Sequence, residues 1–579
     1  GFYSAVQEDG DTLWLCGDLS KVVRLTLSSG KFAEFPTGAP SALVFQGMAI
    51  DRATGKLFAA AFPYTTTTAF SFDYRRRKPV KVHENLCADK YMRFNFPNGD
   101  GTYSCVLHIP GETLVRWDPA KESVEPFPFN ERLDSEAMCG GTTYFLIPDD
   151  RGRWYFPSRG WFDPATRRFD SAGPRPRKEM TWFARSGDRA WGCDYENGNT
   201  RVGLWTLSTG EVRDICVIPD CALHGVTLAK SGRIVAVNLY GEFFRFDGQS
   251  GALEVSKRLP ADSYGAVDCL RRIDRDRLLG TPFITQRFWE VNLRTKKGYD
   301  AGRAAPGAGE VLKTWKIGKK VYMAAYTGAE LLEYDPAGFP HFPENPRVVA
   351  KPPGGMRPVA AADDGRNIFY ACSRHYGTLG SVVTRHDTRT GESLYKADPL
   401  PDQQIQSLLY VKPTNSLLAG TTMHADCHSC TPSSDLCYFA RLDAGTLSLL
   451  DRAPAPKGTH RACVLGPMGK GTGLCLCFGN FTDGIPWFVL DVGAFSVPAL
   501  EAMERLSKEA RQIVATGKPG FFVLHIKERL ELWDMRAGRC VDVLCRHFDG
   551  YRFEAQDDSL YIVKPRQITI LDGCLKGLK

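Results

Sequence analysis

Along most of the chain apolar residues alternate with polar ones in short runs broken by Asp and Gly. Alternation with period two marks strands that bury one face. A single unit keeps returning: a strand-like run, an Asp, a turn that ends in Gly, then another run. It is clearest at 22–30, at 114–119 with Trp117-Asp118-Pro119, and at 203–210. Further copies end at Asp247 with Gly251, Asp335, Asp387 with Gly391, and Asp534 with Gly538. Weaker ones end at Asp73, Asp163, Asn292, Asp443, Asp491 and Asp572. Together they make roughly 13 units about 40 residues apart, the period of propeller blades. Asp can accept hydrogen bonds from the amides of a turn, and Gly can take positive φ without a Cβ clash.

A four-stranded unit of this kind cannot bury both faces alone, and radial stacking against neighbours solves that problem. The expected fold is all-β: tandem β-propellers of about seven blades each. A single ring of every unit would leave a wide unfilled hole. The expected domains are 1–303 and 304–579, divided where Ala, Gly and Pro gather at 301–309. The repeat count leaves one ring a blade short, so either a blade is degenerate or the N-terminal strand closes the C-terminal ring. One helix is expected, over 497–516, where Ala499, Met503, Leu506 and Ala510 recur at helical spacing.

Composition agrees with many short strands: 11% aromatic residues, 56 glycines and 36 prolines in 579 residues. The net charge of +7 is dilute, so nucleic acid is not an expected partner. The one dense basic run, Arg75 to Lys78, reads as a solvated turn. No apolar stretch of about 18 residues occurs, so no membrane span is expected. The 18 cysteines show no small disulfide framework, and several, such as Cys372, Cys475 and Cys477, fall inside apolar runs. That usage predicts a reducing, cytoplasmic setting, with secretion or a periplasmic home expected if a signal peptide preceded Gly1.

Polar segments that interrupt the repeat are the candidate sites. Arg374-His375-Tyr376-Gly377 breaks a blade that Arg357 begins. Such side chains are costly in a core. Arg374, His375, Tyr376 and His424 are the expected catalytic groups, moving protons or stabilising charge. Arg357, Tyr326 and His224 are expected to bind substrate. A second segment, 421–430, packs His424, Cys427, His428 and Cys430 close together, with Cys437 nearby. Those four residues are candidate ligands for a divalent metal such as zinc, calcium or manganese, although the spacing matches no standard finger. The carboxylate pairs Asp149-Asp150, Asp363-Asp364 and Asp557-Asp558 sit at turns, and the aromatic group Trp154, Tyr155, Phe156, Trp161 and Phe162 reads as core.

Leu13-Trp14-Leu15-Cys16-Gly17, the run 22–27 and Glu34-Phe35-Pro36 resemble blades of virginiamycin B lyase-like and SMP-30-like propellers. The segments ending in Trp117-Asp118 and Trp533-Asp534 resemble WD40 blades without the preceding Gly-His pair. That broad resemblance implies a propeller fold, and it includes polysaccharide lyases whose sites use His, Tyr and Arg near the central funnel. The expected function is therefore a carbohydrate-active propeller, a polysaccharide lyase acting on an acidic glycan by β-elimination. The partner is then a polysaccharide or oligosaccharide. The alternative is a non-catalytic tandem propeller that binds a protein or glycan.

Overall fold

The computed structural model describes residues 4–26, 28–42, 48–61, 67–89, 91–108, 112–128, 147–157, 159–163, 166, 168–170, 173–196, 199–219, 221, 226–229, 231–238, 242–258, 266–283, 286–307, 309–469, 472–478, 487–491, 509–564 and 567–578. Its strands form up-and-down antiparallel sheets, nearly all four-stranded, each built from consecutive segments of chain. This is a tandem β-propeller protein.

The recurrent Asp and Gly fold the turn between the third and fourth strands. Asp247 Oδ1 accepts from the amides of Gln249 and Ser250 at 3.1 and 2.8 Å, and Gly251 follows at φ +75°. The same geometry recurs at Asp387 with Gly391 and at Asp534 with Gly538. A Cβ on Gly251 would fall 1.9 Å from the Ile215 carbonyl oxygen, so the residue also permits close approach to the preceding blade.

The chain divides into two compact units, Gly1–Pro260 and Ala261–Lys579. The division falls one blade before the expected 303/304, because the blade Val267–Arg272, Arg277–Pro282, Arg287–Asn292 and Gly298–Arg303 packs with later blades. Composition at 301–309 marks a loop between two blades of one unit, not a domain boundary. Among the described residues the first unit holds six blades, from Ser4–Gln7 to Leu253–Arg258. Shared apolar clusters join successive blades; one contains Trp14 and Phe72, another Phe58 and Trp117. Tyr155, Phe156, Trp161 and Phe162 are buried, as a core reading expects.

Among the described residues the second unit has seven blades, and their inner strands begin at Val267, Val311, Gly355, Gln404, Arg461, Ala510 and Arg552. Seven apolar clusters link them in a closed cycle. The closing cluster sets Leu270 and Leu278 of the first blade against Tyr561 and Val563 of the last. Burying each such side chain stabilises by about 1.5–3 kcal/mol. Polar bonds reinforce the seam: Gln556 Nε2 donates to the Leu270 carbonyl at 2.7 Å, and Arg272 Nη1 meets Asp572 at 2.8 Å. The strand Ser4–Gln7 pairs with Thr12–Cys16 in its own sheet, so it is not the strand that closes this ring. The fourth and fifth blades also touch edge to edge through a single bridge, Thr422 to Arg461.

One more expectation changes. The end of the predicted helix is instead the strand Ala510–Ala515. There Ile513 and Ala515 face one apolar cluster and Val514 another, a period of two that overrides the helical spacing of the upstream residues. Residues 497–508 lie outside the described residues. Among the described residues no helix is long and apolar enough to cross a membrane.

Candidate functional site

In an up-and-down blade, the start of the inner strand and the end of the second strand lie at the same edge. Around the second unit this brings loops from successive blades to one mouth. Glu310 stands just before Val311–Ile317, Tyr326 just after Lys320–Ala325, and Arg357 near the start of Gly355–Asp363. Tyr376 follows Asn367–Arg374, and Asp426 opens the 3-10 turn after Ser416–Thr422.

Arg357 is the centre of this mouth. Its guanidinium lies 3.8 Å from the centroid of the Tyr326 ring. Nε donates to Asp426 Oδ2 at 2.9 Å, and Nη2 to the Tyr376 hydroxyl at 3.2 Å. The hydroxyls of Tyr326 and Tyr376 are 3.0 Å apart. Nη1 makes no hydrogen bond and stands 3.7 Å from Glu310 Oε2, beyond hydrogen-bonding reach. Burial works against the arginine's charge, yet Asp426, then Tyr376 and Tyr326, hold it and leave its pKa raised. The backbone sets up the contact. Tyr326 N donates to the Glu310 carbonyl at 2.8 Å, and Gly309 admits Tyr326 because a Cβ there would lie 2.5 Å from its carbonyl oxygen. The 374–377 segment is tied to the 426–430 turn by the bond from Gly377 N to Ser429 Oγ at 2.7 Å.

A repeated irregularity lies behind the mouth. Six of the seven inner strands carry a β-bulge, at Asp268, Leu312, Val359, Gln406, Leu465 and Arg511. A bulge re-aims side chains at a sheet edge. Glu310 and Arg357 each lie two residues before a bulged position, so they are equivalents in neighbouring blades. Asp268 is itself bulged. Its Oδ2 is buried without a hydrogen bond, and Arg552 donates to its backbone carbonyl.

These carboxyls are electrostatically unusual. Burial, then the charge of Glu310, pushes Asp268 up to about 6 against the pull of Arg552 and Arg357. Burial likewise raises Glu310 despite Arg357. On the same inner wall, burial lowers the Lys313 amine.

The sequence candidates divide between this mouth and other places. Arg357, Tyr326 and Tyr376 meet, with His375 beside them in the chain. Arg374 does not join them: Nη1 pairs with Asp398 Oδ2 at 3.2 Å. His424 forms a second cluster with a residue that sequence reasoning missed. Its Nε2 lies 3.3 Å from His460 Nδ1, and its ring stacks on His428 with centroids 4.1 Å apart. The His424 and His460 rings are nearly coplanar in orientation, 7° apart, with centroids separated by 5.6 Å. That separation equals the N···N distance plus two ring radii, so the two nitrogens point along one line. Such an axis suits an N–H···N bond, whereas ligands of one metal converge at an angle. Among the described residues no group of three or more His, Cys, Asp or Glu is placed to hold a metal ion. His224 lies outside the described residues. The carboxylate pairs serve turns where their partners are visible: Asp364 Oδ1 accepts from the amides of Arg366 and Asn367 at 2.8 and 2.6 Å.

Asp268, Glu310, Asp426 and His460 were missed. For Glu310 and His460 the available signal was position, since each immediately precedes an inner strand.

No family model matches the chain, and no curated protein matches it. It is similar in fold to three solved structures at 11% identity each. One is the extracellular domain of a hybrid two-component system from B. thetaiotaomicron, covering 100% of this chain and 70% of that one at a TM-score of 0.32. Another is the tricorn protease, with 99% and 63% covered and a TM-score of 0.34. A third is the Pan2 WD40 domain of Neurospora crassa, with 53% and 88% covered and a TM-score of 0.37.

Proposed function

We propose that the second unit is carbohydrate-active and that its mouth cleaves an acidic glycan by β-elimination. The observation that carries this reading is the state of Arg357. Three partners orient its guanidinium, and one nitrogen, Nη1, has no hydrogen bond. Planar, bidentate recognition of a carboxylate suits such a group. A uronate held there has its carboxylate charge countered, which favours loss of the adjacent carbon-bound proton. The Tyr376 oxygen, fixed by Arg357 and Tyr326 and ionised to phenolate beside the guanidinium charge, is the group within the same cluster that takes that proton. Tyr326 supplies an aromatic wall.

The test is incubation of the purified protein with a panel of uronate polysaccharides. Unsaturated ends absorb in the ultraviolet, and a signal is expected that falls by about 10²–10⁴-fold in Tyr376→Phe. No absorbance across the panel overturns the reading and leaves a scaffold that binds a protein or glycan as the alternative.

A further inference from the structure

We propose that Asp268, backed by Glu310, is the proton donor of this mouth: it protonates the oxygen that leaves when the glycan is cleaved. The assignment rests on the β-elimination reading and names the acid which that reading lacks.

Asp268 sits on a bulge at the mouth end of its inner strand. Its Oδ2 is buried and accepts no hydrogen bond, and the same holds for Glu310 Oε2. Glu310 is 7% exposed, so water does not compensate it. Two carboxyls whose buried oxygens lack hydrogen bonds, and of which one feels the other's charge, do not both ionise readily. The charged groups that act on them are Arg552 from the last blade, Arg357 from the third, which lies 3.7 Å from Glu310 Oε2 and on Asp426 at 2.9 Å, and Asp426 itself; Lys313 and Glu554 act on the neighbouring Cys269. No cation is in hydrogen-bonding reach of either uncommitted oxygen. Burial together with Glu310 holds the Asp268 proton up to about pH 6. A carboxyl that holds its proton up to about pH 6 keeps a protonated fraction at neutrality, the form that general-acid chemistry needs.

The step balances without a further reactant. Tyr376, as phenolate, takes the proton from the carbon next to the carboxylate. The C–H electron pair becomes the new C=C bond. The C–O bond to the departing sugar breaks, and its electrons stay on that oxygen, which takes the proton of Asp268. Tyr376 ends as phenol and Asp268 as carboxylate, and exchange of one proton with water resets both. One shared proton also lowers the negative charge that an anionic substrate meets on entering.

Two measurements on the full chain test the assignment. First, carboxyl titration followed by infrared or carbon NMR spectroscopy should show a group titrating near 6 that disappears in Asp268→Asn and moves down in Glu310→Gln. Its persistence in Asp268→Asn overturns the proposal whether or not the protein is active. Second, Asp268→Asn should lose about 10²–10⁴-fold on polysaccharide but less than about tenfold on a uronoside with an acidic phenol as leaving group, which needs no protonation. Equal losses on both overturn the donor role while leaving β-elimination intact. A titration that behaves as expected with no turnover of any uronate substrate overturns β-elimination, and the leaving-group role with it.

Discussion

Arg357 and Asp426 come from consecutive blades, yet Nε and Oδ2 meet at 2.9 Å while the face of the guanidinium rests on Tyr326. The pair ties the third blade to the fourth at the mouth of the second unit. Removing the arginine strands Asp426 and Glu310 as negative groups with little solvent. Arg357→Ala should cost about 3–5 kcal/mol of unfolding free energy by denaturant titration, the penalty for breaking a buried pair. Arg357→Lys should recover only part of it, because an ammonium cannot reach Asp426 and Tyr376 with a planar fork.

The Asp268 carboxyl makes stability depend on pH in a predictable direction. Its folded pKa is raised to about 6, above the roughly 3.9 of an unfolded Asp. Between those values the folded chain binds the extra proton, so stability falls as pH rises through the window. Asp268→Asn should therefore stabilise the protein at pH 7 by about 1–2 kcal/mol, allowing for solvent screening, and change little at pH 4. Denaturant melts at the two pH values check this.

Ring closure should be sensitive to single methyl groups at the seam. Leu278 is fully buried between the first and last blades of the second unit. Leu278→Ala should cost about 2–5 kcal/mol, read from the unfolding midpoint.

Two glycines in the same repeat turn should respond differently. Gly391 has φ +78° and open space around its missing Cβ, so Gly391→Ala should cost only about 1–2 kcal/mol for the left-handed backbone. Gly251→Ala adds a collision with the Ile215 carbonyl oxygen, a backbone atom that cannot swing aside as a flexible side chain would. It should destabilise by clearly more in parallel thermal melts.

The repeat was legible because Asp247, Asp387 and Asp534 act locally, each bonding amides within three residues of itself. The count of units was legible for the same reason. Arg357, Tyr326 and Tyr376 were also within reach, as polar groups at strand ends, and Arg357 does bond to Tyr376. The role of Arg374 was not, since its partner Asp398 lies beyond the next two strands and only pairing reveals it. Asp268 and Glu310 were invisible because a lone acid at the start of a strand looks like any turn residue. Their character comes from burial and from each other, which no local pattern encodes. The helix at 497–516 failed at Ala510 because apolar spacing alone cannot tell which neighbours will cover a segment.

The bulge in six inner strands has an evolutionary corollary. Each one shifts the register just inside the rim, so the side chains ahead of it are re-aimed while the backbone pairing that holds the blade continues past them. Glu310 and Arg357, opposite in charge, fill the same station in adjacent blades. The rim thus behaves as a set of sockets whose contents can be exchanged one at a time, and a new ligand preference needs no redesign of the walls.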